Sequence, residues 1–334
     1  FMKISLNRFA SVLGCIAVLA ASVQAPHPAV AEATKKVVVS QLFQSVMFLP
    51  LYVALDEGLF EKQGLSVTKQ TSGSPNASLS AVISGSADFS LHGPEWTAIA
   101  ASKGADVQVI AGVVNRAAVW IAATPDLKFN GPRDFAGQTI STGMMPIAST
   151  SLFNKLLKDN QIDPAAEKIT IKQVQAGSEI GPLLAGQATV GVFYQPALEQ
   201  AVAKGFKVIH SFPQQYGPYL LSGISARKTV DADTAVRFVA ALEQALQFIQ
   251  SHLKETVAIA QKEFPTIEPA IVEAAVKRMI DEKVYATSVA ISPDALRIAM
   301  ETQISLGNLG GQPVYDQLIA KPLIDLAIAR AGAS

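Results

Sequence analysis

The sequence predicts an α/β protein with two lobes, each built on a doubly wound sheet, joined by a hinge. Strand and helix signals alternate between residues 36 and 226, which is typical of this class. The chain has 334 residues, and single hydrophobic cores stop growing at about 250–300 residues, so two lobes are expected. The segment 185–188 (Ala-Gly-Gln-Ala) also echoes 84–87 (Ser-Gly-Ser-Ala). This echo fits an internal repeat of helix, Gly stop and strand, or chance.

The individual elements follow from runs of apolar and β-branched residues and from Gly and Pro boundaries. Predicted strands are 36–41, 65–69, 86–91, 107–114, 119–123, 169–174, 189–194, 208–212 and 221–226. Predicted helices are 48–58, 76–84, 149–160, 180–185, 235–251, 253–263, 269–281 and 293–306. The tail after Gly311 receives no assignment.

The predicted domain boundaries follow from the composition along the chain. The polar run 124–133 marks a change of lobe, and the strand at 221–226 returns the chain to the first lobe. We therefore predict an export signal at 1–31, a first lobe at 32–121 and 222–334, and a second lobe at 122–221.

The first residues have the pattern of a signal peptide. Lys3 and Arg8 precede an apolar run at 9–21, and Ala29 and Ala31 are small residues at the positions that a signal peptidase reads. The run is shorter than the ~20 residues of a membrane-spanning helix. Cleavage after Ala31 and a periplasmic location are predicted, with lipidation at Cys15 as the alternative.

Charge and cysteine content exclude several classes of function. Loss of Lys3 and Arg8 with the signal leaves 25 basic residues against 27 acidic ones, a net charge of −2. Nucleic-acid binding requires clustered Lys and Arg, which this chain lacks. Cys15 is the only cysteine and would leave with the signal, so no disulfide or thiolate metal site is expected.

Three segments carry a family resemblance. The segment 51–65 has apolar residues at helical spacing and glycines at 58 and 64, 84–89 reads Ser-Gly-x-Ala-Asp-Phe, and 134–140 begins Asp-Phe-Ala-Gly. These segments resemble periplasmic solute-binding proteins of the nitrate, sulfonate and thiamine-precursor transport group, over essentially all of the mature chain. The resemblance implies a type II periplasmic-binding fold, one small ligand between the lobes, a permease of an ABC importer in the inner membrane as partner, and a monomer without cofactor or metal.

Candidate ligand-binding residues lie where strands end and helices begin, because ligands of open α/β sheets bind at the carboxyl ends of the strands. Helix starts also offer unpaired amides to an anion, although Ser, Thr and Asn there are equally explained as helix caps. The predicted set is Gln44, Ser45, Ser74, Asn76, His92, Glu95, Trp96, Arg116, Ser149, Thr150, Tyr194 and Tyr219.

The segment 92–96 (His-Gly-Pro-Glu-Trp) is the most individual part of this set. Glu95 can accept a hydrogen bond from an amino group, and Trp96 can stack on a planar ligand. The alternatives are that Glu95 stabilises the first turn of a helix and that Trp96 belongs to the core. Arg116 can bind an oxyanion or form a salt bridge near the hinge.

The sequence predicts binding without catalysis. Three histidines remain after residue 31, widely spaced, and no phosphate loop, dinucleotide turn or nucleophile elbow is found. Enzymes that this fold resembles include desulfinases with a cysteine nucleophile, which the mature chain would lack. Glu95, Trp96 and the scarcity of basic candidates favour a planar nitrogen-bearing ligand such as a thiamine-related pyrimidine. The alternatives are an alkanesulfonate, taurine or nitrate, and, from another class, a secreted enzyme.

Overall fold

A computed structural model describes residues 34–333. The predicted signal segment, its cleavage site after Ala31 and Cys15 lie outside the described residues. Within 34–333, no helix is both long enough and apolar enough to cross a membrane.

The described chain contains ten strands in two sheets. They are β1 Lys35–Gln41, β2 Leu65–Thr71, β3 Phe89–His92, β4 Val107–Val114, β5 Trp120–Ala123, β6 Thr139–Gly143, β7 Thr170–Val174, β8 Val190–Phe193, β9 Lys207–Ser211 and β10 Ser222–Arg227.

Helices flank both sheets. They are α1 Leu49–Asp56, α2 Leu59–Lys62, α3 Pro75–Ser84, α4 Pro94–Ser102, α5 Ala148–Asp159, α6 Ile180–Leu184, α7 Ala197–Ala203, α8 Phe212–Gln215, α9 Ala232–Ser251, α10 Leu253–Glu263, α11 Pro269–Asp281, α12 Pro293–Ser305, α13 Tyr315–Leu318 and α14 Lys321–Gly332. Short 3₁₀ turns lie at Val46–Phe48 and Pro132–Phe135.

The two sheets have the same internal order. The first is β2-β1-β3-β10-β4 and the second is β7-β6-β8-β5-β9. In each, three neighbouring strands are parallel and the fourth strand, β10 or β5, runs antiparallel to both of its neighbours. The prediction of an α/β protein with two sheets is confirmed.

The echo between 84–87 and 185–188 corresponds to equivalent places in the two sheets. Gly85 follows α3 with φ +81° and leads to β3, while Gly186 follows α6 with φ +66° and leads to β8. Both strands occupy the third position of their sheet. Glycine suits both turns because a left-handed backbone is strained for residues with a Cβ.

The long helix α9 anchors the core behind the first sheet. Its Phe238 is fully buried and stacks on Phe60 of α2 and Phe89 of β3, with ring centroids 4.8 and 4.3 Å apart. Such aromatic burial is a large contribution to the stability of the first sheet. It also fixes β3, the strand that leads into the segment 92–96.

Several elements differ from the sequence prediction. The helix expected at 48–58 ends at Asp56, and Gly58, with φ +64°, separates it from a further short helix, α2, that was not predicted. The third strand is Phe89–His92, so His92 is a strand residue and does not lie in a loop. No element range was predicted for β6, α4, α7 or the terminal helix α14.

Candidate functional site

A small cavity lies between the carboxyl ends of strands from both sheets. It is lined by Leu42 and Phe43 after β1, Gly93 and Glu95 after β3, Ile147 and Ala148 before and in α5, and Tyr194 after β8, together with Met47, Pro75, Leu221 and Ser222. Its volume is ≈ 10 Å³, about the space for one water molecule. The two sheets therefore close tightly on each other here.

A second, wider cavity continues outward from the first and shares Leu42, Pro75 and Ile147 with it. Its volume is ≈ 260 Å³, and its other lining residues are Gly73, Ser74, Met144, Met145, Pro146, Gln175 and Ala176. Met144 is 60% exposed. The outer cavity is thus mainly apolar and has flexible methionine side chains at its rim.

Glu95 places a carboxylate in the inner cavity. The strand β3 ends at His92, Gly93 caps the next helix, and Glu95 lies in the first turn of α4. Only 6% of Glu95 is exposed, and burial raises the pKa of its carboxyl from 4.5 to about 7, partly offset by its own backbone amide. No lysine or arginine lines this cavity in the described chain.

The backbone of Gly93 allows the Glu95 side chain to fold across it. A Cβ added to Gly93 would lie 2.2 Å from Oε2 and 2.4 Å from Oε1 of Glu95, closer than van der Waals contact permits. The position of the carboxylate therefore depends on glycine at residue 93.

Substituting Gly93→Ala should displace the Glu95 carboxylate from the inner cavity. We expect the pKa of Glu95 to fall from about 7 toward its ordinary value, because the displaced group is better solvated. Carboxyl-carbon NMR titration measures this change. Gly310→Ala is the matched control, since its added Cβ meets no atom within 4 Å. An unchanged Glu95 pKa in Gly93→Ala would show that glycine is not required for this placement.

Glu179 is a second buried carboxylate, on the side of the second sheet. It precedes α6, is fully buried, and neither carboxylate oxygen has a hydrogen-bond partner. Burial raises its pKa from 4.5 to about 7. The backbone amides of Glu179 and Gly177 lie near the carboxylate and lower its pKa in part. Their geometry does not meet that of a hydrogen bond.

Sequence reasoning did not include Glu179 among the candidates. It directly follows the loop 175–178 at the end of β7, but it is followed by the apolar helix α6, which reads as ordinary packing. A carboxylate among apolar residues after such a loop was the available signal.

The pKa of Tyr194 is influenced by both buried carboxylates, Glu95 and Glu179. Its hydroxyl accepts a hydrogen bond from the Ser149 amide at 2.7 Å, and its ring lies 5.3 Å from that of Phe43 across the cleft. Burial raises the pKa of Tyr194 most, and Glu179 and Glu95 raise it further. Tyr219 is also buried, donates to Thr302 Oγ1 at 3.1 Å, and has its pKa raised by burial and by Glu95.

Two further predicted residues have polar atoms without partners. The Ser149 hydroxyl is buried and lies near the Tyr194 hydroxyl without meeting hydrogen-bond geometry, and the Trp96 indole nitrogen is buried without a partner. Thr150, in contrast, donates to the Gly143 carbonyl and pairs with Thr142 at 2.7 Å, so it stabilises the start of α5. The side chains of Ser149 and Trp96 can therefore still hydrogen-bond to a ligand, whereas the Thr150 hydroxyl is already engaged by Gly143 and Thr142.

His92 is positioned differently from its predicted place. It is fully buried at the end of β3, with Nε2 3.0 Å from Ser90 Oγ and Nδ1 2.8 Å from the Gly93 carbonyl. Burial lowers its pKa to about 4, so the ring is neutral near pH 7. Both nitrogens are occupied within its own strand and turn, because the strand includes His92, one residue beyond the end predicted at Leu91.

The loop after β1 contributes contacts across the cleft and at its edge. Ser45 Oγ donates to the Gln195 carbonyl at 2.7 Å, joining the loops that follow β1 and β8. Gln44 points away and donates to the carbonyl and carboxylate of Glu263 at 2.9 and 2.8 Å. Ser74 caps α3 and lines the outer cavity, whereas Asn76 is exposed on α3 and lines neither cavity.

Arg116 lies in a different cavity from Glu95. It follows β4 in the stretch that crosses from the first sheet to the second, and it lines a cavity of ≈ 540 Å³ with Asn115, Pro218, Lys283 and Tyr285. Its guanidinium donates weakly to the Pro213 carbonyl at 3.4 Å. The sequence expectation that Arg116 joins the other candidates thus differs from the structure, because the crossover carries it out of the cleft.

Taken together, the inner cavity gathers Glu95 and Tyr194, with Ser149, Glu179 and Tyr219 close by, and the outer cavity gathers Ser74. Within residues 34–333, no group of three or more His, Cys, Asp or Glu side chains is placed to hold a metal ion. The arrangement offers hydrogen-bond acceptors, aromatic faces and an apolar rim. It suits binding of a small organic molecule with donor groups.

Two like-ordered sheets with a cleft at their strand ends define a two-lobed α/β binding-protein fold. The chain belongs to the family described as NMT1/THI5 like, which matches residues 45–256. A curated relative, the putative binding protein YtlA of Bacillus subtilis (strain 168), is 23% identical over 305 residues, covering 88% of this chain and 90% of that protein.

Solved structures support the fold. The periplasmic nitrate-binding protein NrtA from Synechocystis PCC 6803 has a TM-score of 0.71 at 12% identity, covering 89% of each chain. The desulfurization enzyme DSZB has a TM-score of 0.64 at 10% identity, covering 89% of this chain and 99% of that one. These likenesses confirm the predicted two-lobed fold of periplasmic binding proteins.

Proposed function

We propose that this protein is the exported solute-binding component of an ABC importer and closes around one small organic ligand with nitrogen donors. The observation that carries the ligand class is the buried Glu95 carboxylate in a cavity lined by no lysine or arginine. A buried carboxylate is stable only when it is neutralised or paired. A ligand amino or ammonium group supplies that pairing.

The aromatic residues of the cavity favour a planar ligand. Phe43 comes from the first sheet and Tyr194 from the second, and their rings meet across the cleft. A planar nitrogen heterocycle, such as a thiamine-related pyrimidine, could displace this contact, stack on one of the two rings and present its amino group to Glu95. Micromolar affinity corresponds to about −8 kcal/mol, which several hydrogen bonds and two aromatic faces can supply.

Closure of a hinge is the proposed mechanism. The proposed lobes are 32–121 with 222–334, and 122–221. The contact between Ser45 and Gln195 and the packing of Phe43 on Tyr194 join loops from both sheets in the closed form. A ligand that touches both sides shifts the equilibrium toward a closed form that encloses it, with these loops moved apart enough to make room, by its differential affinity. A permease in the inner membrane would bind the closed monomer in the periplasm.

The second candidate is binding of nitrate, taurine or an alkanesulfonate, favoured by the likeness to the nitrate-binding protein. Two buried carboxylates beside the cavity oppose it, because an anion there repels both. A secreted enzyme is the third candidate. The cysteine chemistry of the desulfinases has no counterpart among residues 34–333, which contain no cysteine.

A thermal-shift screen of residues 32–334 distinguishes these candidates. Aminopyrimidines and other planar nitrogen compounds are compared with taurine, methanesulfonate and nitrate at equal concentration. A ligand at a hundred times its dissociation constant adds about 2.7 kcal/mol of stability. Stabilisation only by the anions would contradict the proposed ligand class, and turnover of a stabilising compound would indicate an enzyme.

Substituting Glu95→Gln should weaken an amine-bearing hit by about 1.5–3 kcal/mol, through loss of a charge-assisted hydrogen bond. Isothermal titration calorimetry at pH 8 measures the difference. Glu273→Gln, on the exposed face of α11, is the matched control and should bind like the unmodified protein. Equal affinity of Glu95→Gln and the control would remove Glu95 from the proposed site.

A further inference from the structure

Glu179 and Ser149 bring unpaired polar atoms together at one site beside Gly143. A Cβ added to Gly143 would lie 2.8 Å from Ile147 Cγ2, 3.0 Å from Ser149 Oγ and 3.3 Å from Glu179 Oε1, so the site is closely packed. Neither of these two oxygens, nor the second Glu179 oxygen, has a hydrogen-bond partner in the described structure. Buried polar groups in folded proteins are nearly always paired, so a donor from outside the chain can satisfy these atoms once the site opens.

This site lies on the side of the second sheet, next to Ile147, which lines both the inner and the outer cavity. Ser149 is in the first turn of α5, and its amide binds the hydroxyl of Tyr194, which lines the inner cavity. Both Glu179 and Glu95 act on the Tyr194 phenol. The two carboxylates therefore both lie close enough to Tyr194 to influence it, Glu95 after a strand of the first sheet and Glu179 after a strand of the second.

We propose that the ligand carries two separate nitrogen donors, one bound by Glu95 and the other by Glu179 with the Ser149 hydroxyl. This inference rests on the proposed function and narrows its ligand class to planar molecules with two amine-type groups. Each lobe then contributes one carboxylate, so a ligand with both donors joins the lobes more strongly than a ligand with one.

An inorganic cation fits the site beside Gly143 less well than an organic amine. Calcium needs six to eight oxygen ligands, and within residues 34–333 no group of three or more metal-ligand side chains is found. Two carboxylates at different places suit two organic ammonium or amino groups better than a single ion.

The test compares benzylamine with 1,3- and 1,4-bis(aminomethyl)benzene by calorimetry at pH 8. In the unmodified protein we expect the better diamine to bind about ten- to a hundredfold more tightly than benzylamine, the worth of one charge-assisted hydrogen bond. In Glu179→Gln this ratio should fall close to one. In the exposed control Glu273→Gln the ratio should be unchanged.

The outcomes separate this inference from the proposed function. If benzylamine binds and neither diamine gains, or if Glu179→Gln keeps the gain, the two-donor inference is refuted and the proposed function stands. If no amine binds, the two-donor inference is refuted, and if taurine or nitrate binds instead, the proposed ligand class is refuted with it.

A measurement without ligand gives an independent readout. At pH 8 the melting temperature of Glu179→Gln should exceed that of the unmodified protein, because the substitution removes an unpaired buried charge. The titratable group that faces Glu179 is Tyr194, which stays neutral at this pH. A lower melting temperature would show that the carboxylate stabilises the fold, and would overturn a ligand-binding role.

Discussion

The free energy of unfolding of the empty protein is expected to fall as the pH rises from 4.5 to 8, because Glu95 and Glu179 lose their protons while buried. Their folded-state pKa values are about 7, against 4.5 for the ordinary carboxyl group. Since one pKa unit corresponds to about 1.4 kcal/mol, each group contributes a loss of about 3 kcal/mol. This is a large part of the stability of a typical domain.

The sign follows from proton binding. Below pH 4.5 both carboxyls are protonated in the folded and unfolded states and no penalty exists. Between 4.5 and about 7 the folded state keeps protons that the unfolded state has released, so stability falls with pH. Above 7 the buried groups are charged and the penalty is complete.

Urea unfolding at several pH values measures this effect. Other carboxylates also titrate, so the relevant quantity is the difference between the unmodified protein and the double variant Glu95→Gln/Glu179→Gln. The difference should grow between pH 4.5 and 7.5 in favour of the variant. Parallel stability curves would mean that the two carboxylates are solvated or paired in solution.

Truncation of Phe238 should produce the largest loss of stability from one side chain. The ring is fully buried between Phe60 and Phe89. Phe238→Ala removes both stacking contacts and leaves a cavity, for which we expect a loss of about 3–5 kcal/mol. Denaturant unfolding followed by circular dichroism measures the change.

Phe248→Ala provides the control on the same helix. Its ring is partly exposed and stacks on His252 at the end of α9, 4.4 Å between centroids. It should lose far less stability, because a partly exposed ring leaves little cavity. Similar losses in both variants would indicate that helix α9 itself, and not the aromatic stack, determines the effect.

Elements with strong local signals were predicted well. The strand Val107–Val114 agrees residue for residue, because its β-branched run is bounded by polar residues. The helices α10 and α11 also agree, since Pro265 and Pro269 separate them. The strand β6, Thr139–Gly143, was not assigned, because its buried residues include Ser141 and Thr142.

These polar side chains of β6 are satisfied by tertiary contacts that no local pattern shows. Ser141 Oγ donates to the Glu179 carbonyl at 2.7 Å, and Thr142 pairs with Thr150. The helix α14 was also left unassigned, and it packs through Ile324 and Ala327.

The location of the candidate site was predictable from the sequence, but the residues that form it were less so. The rule that ligands bind at strand ends selected Glu95, Ser149 and Tyr194, which the structure brings to one cleft. It could not separate these from Arg116, because the path of the crossover decides which cavity a side chain enters. Glu179 was missed because the apolar residues after it resemble ordinary helix packing, and only the folded chain shows that its carboxylate is buried without partners.

The tightness of the inner cavity also sets the order of events in binding. A space of ≈ 10 Å³ cannot admit an organic molecule while the loops after β1 and β8 remain in contact. Association must wait until thermal motion separates them, however abundant the solute. The observed association rate will therefore reach a plateau as solute concentration rises, and the height of that plateau is the opening rate of the protein itself.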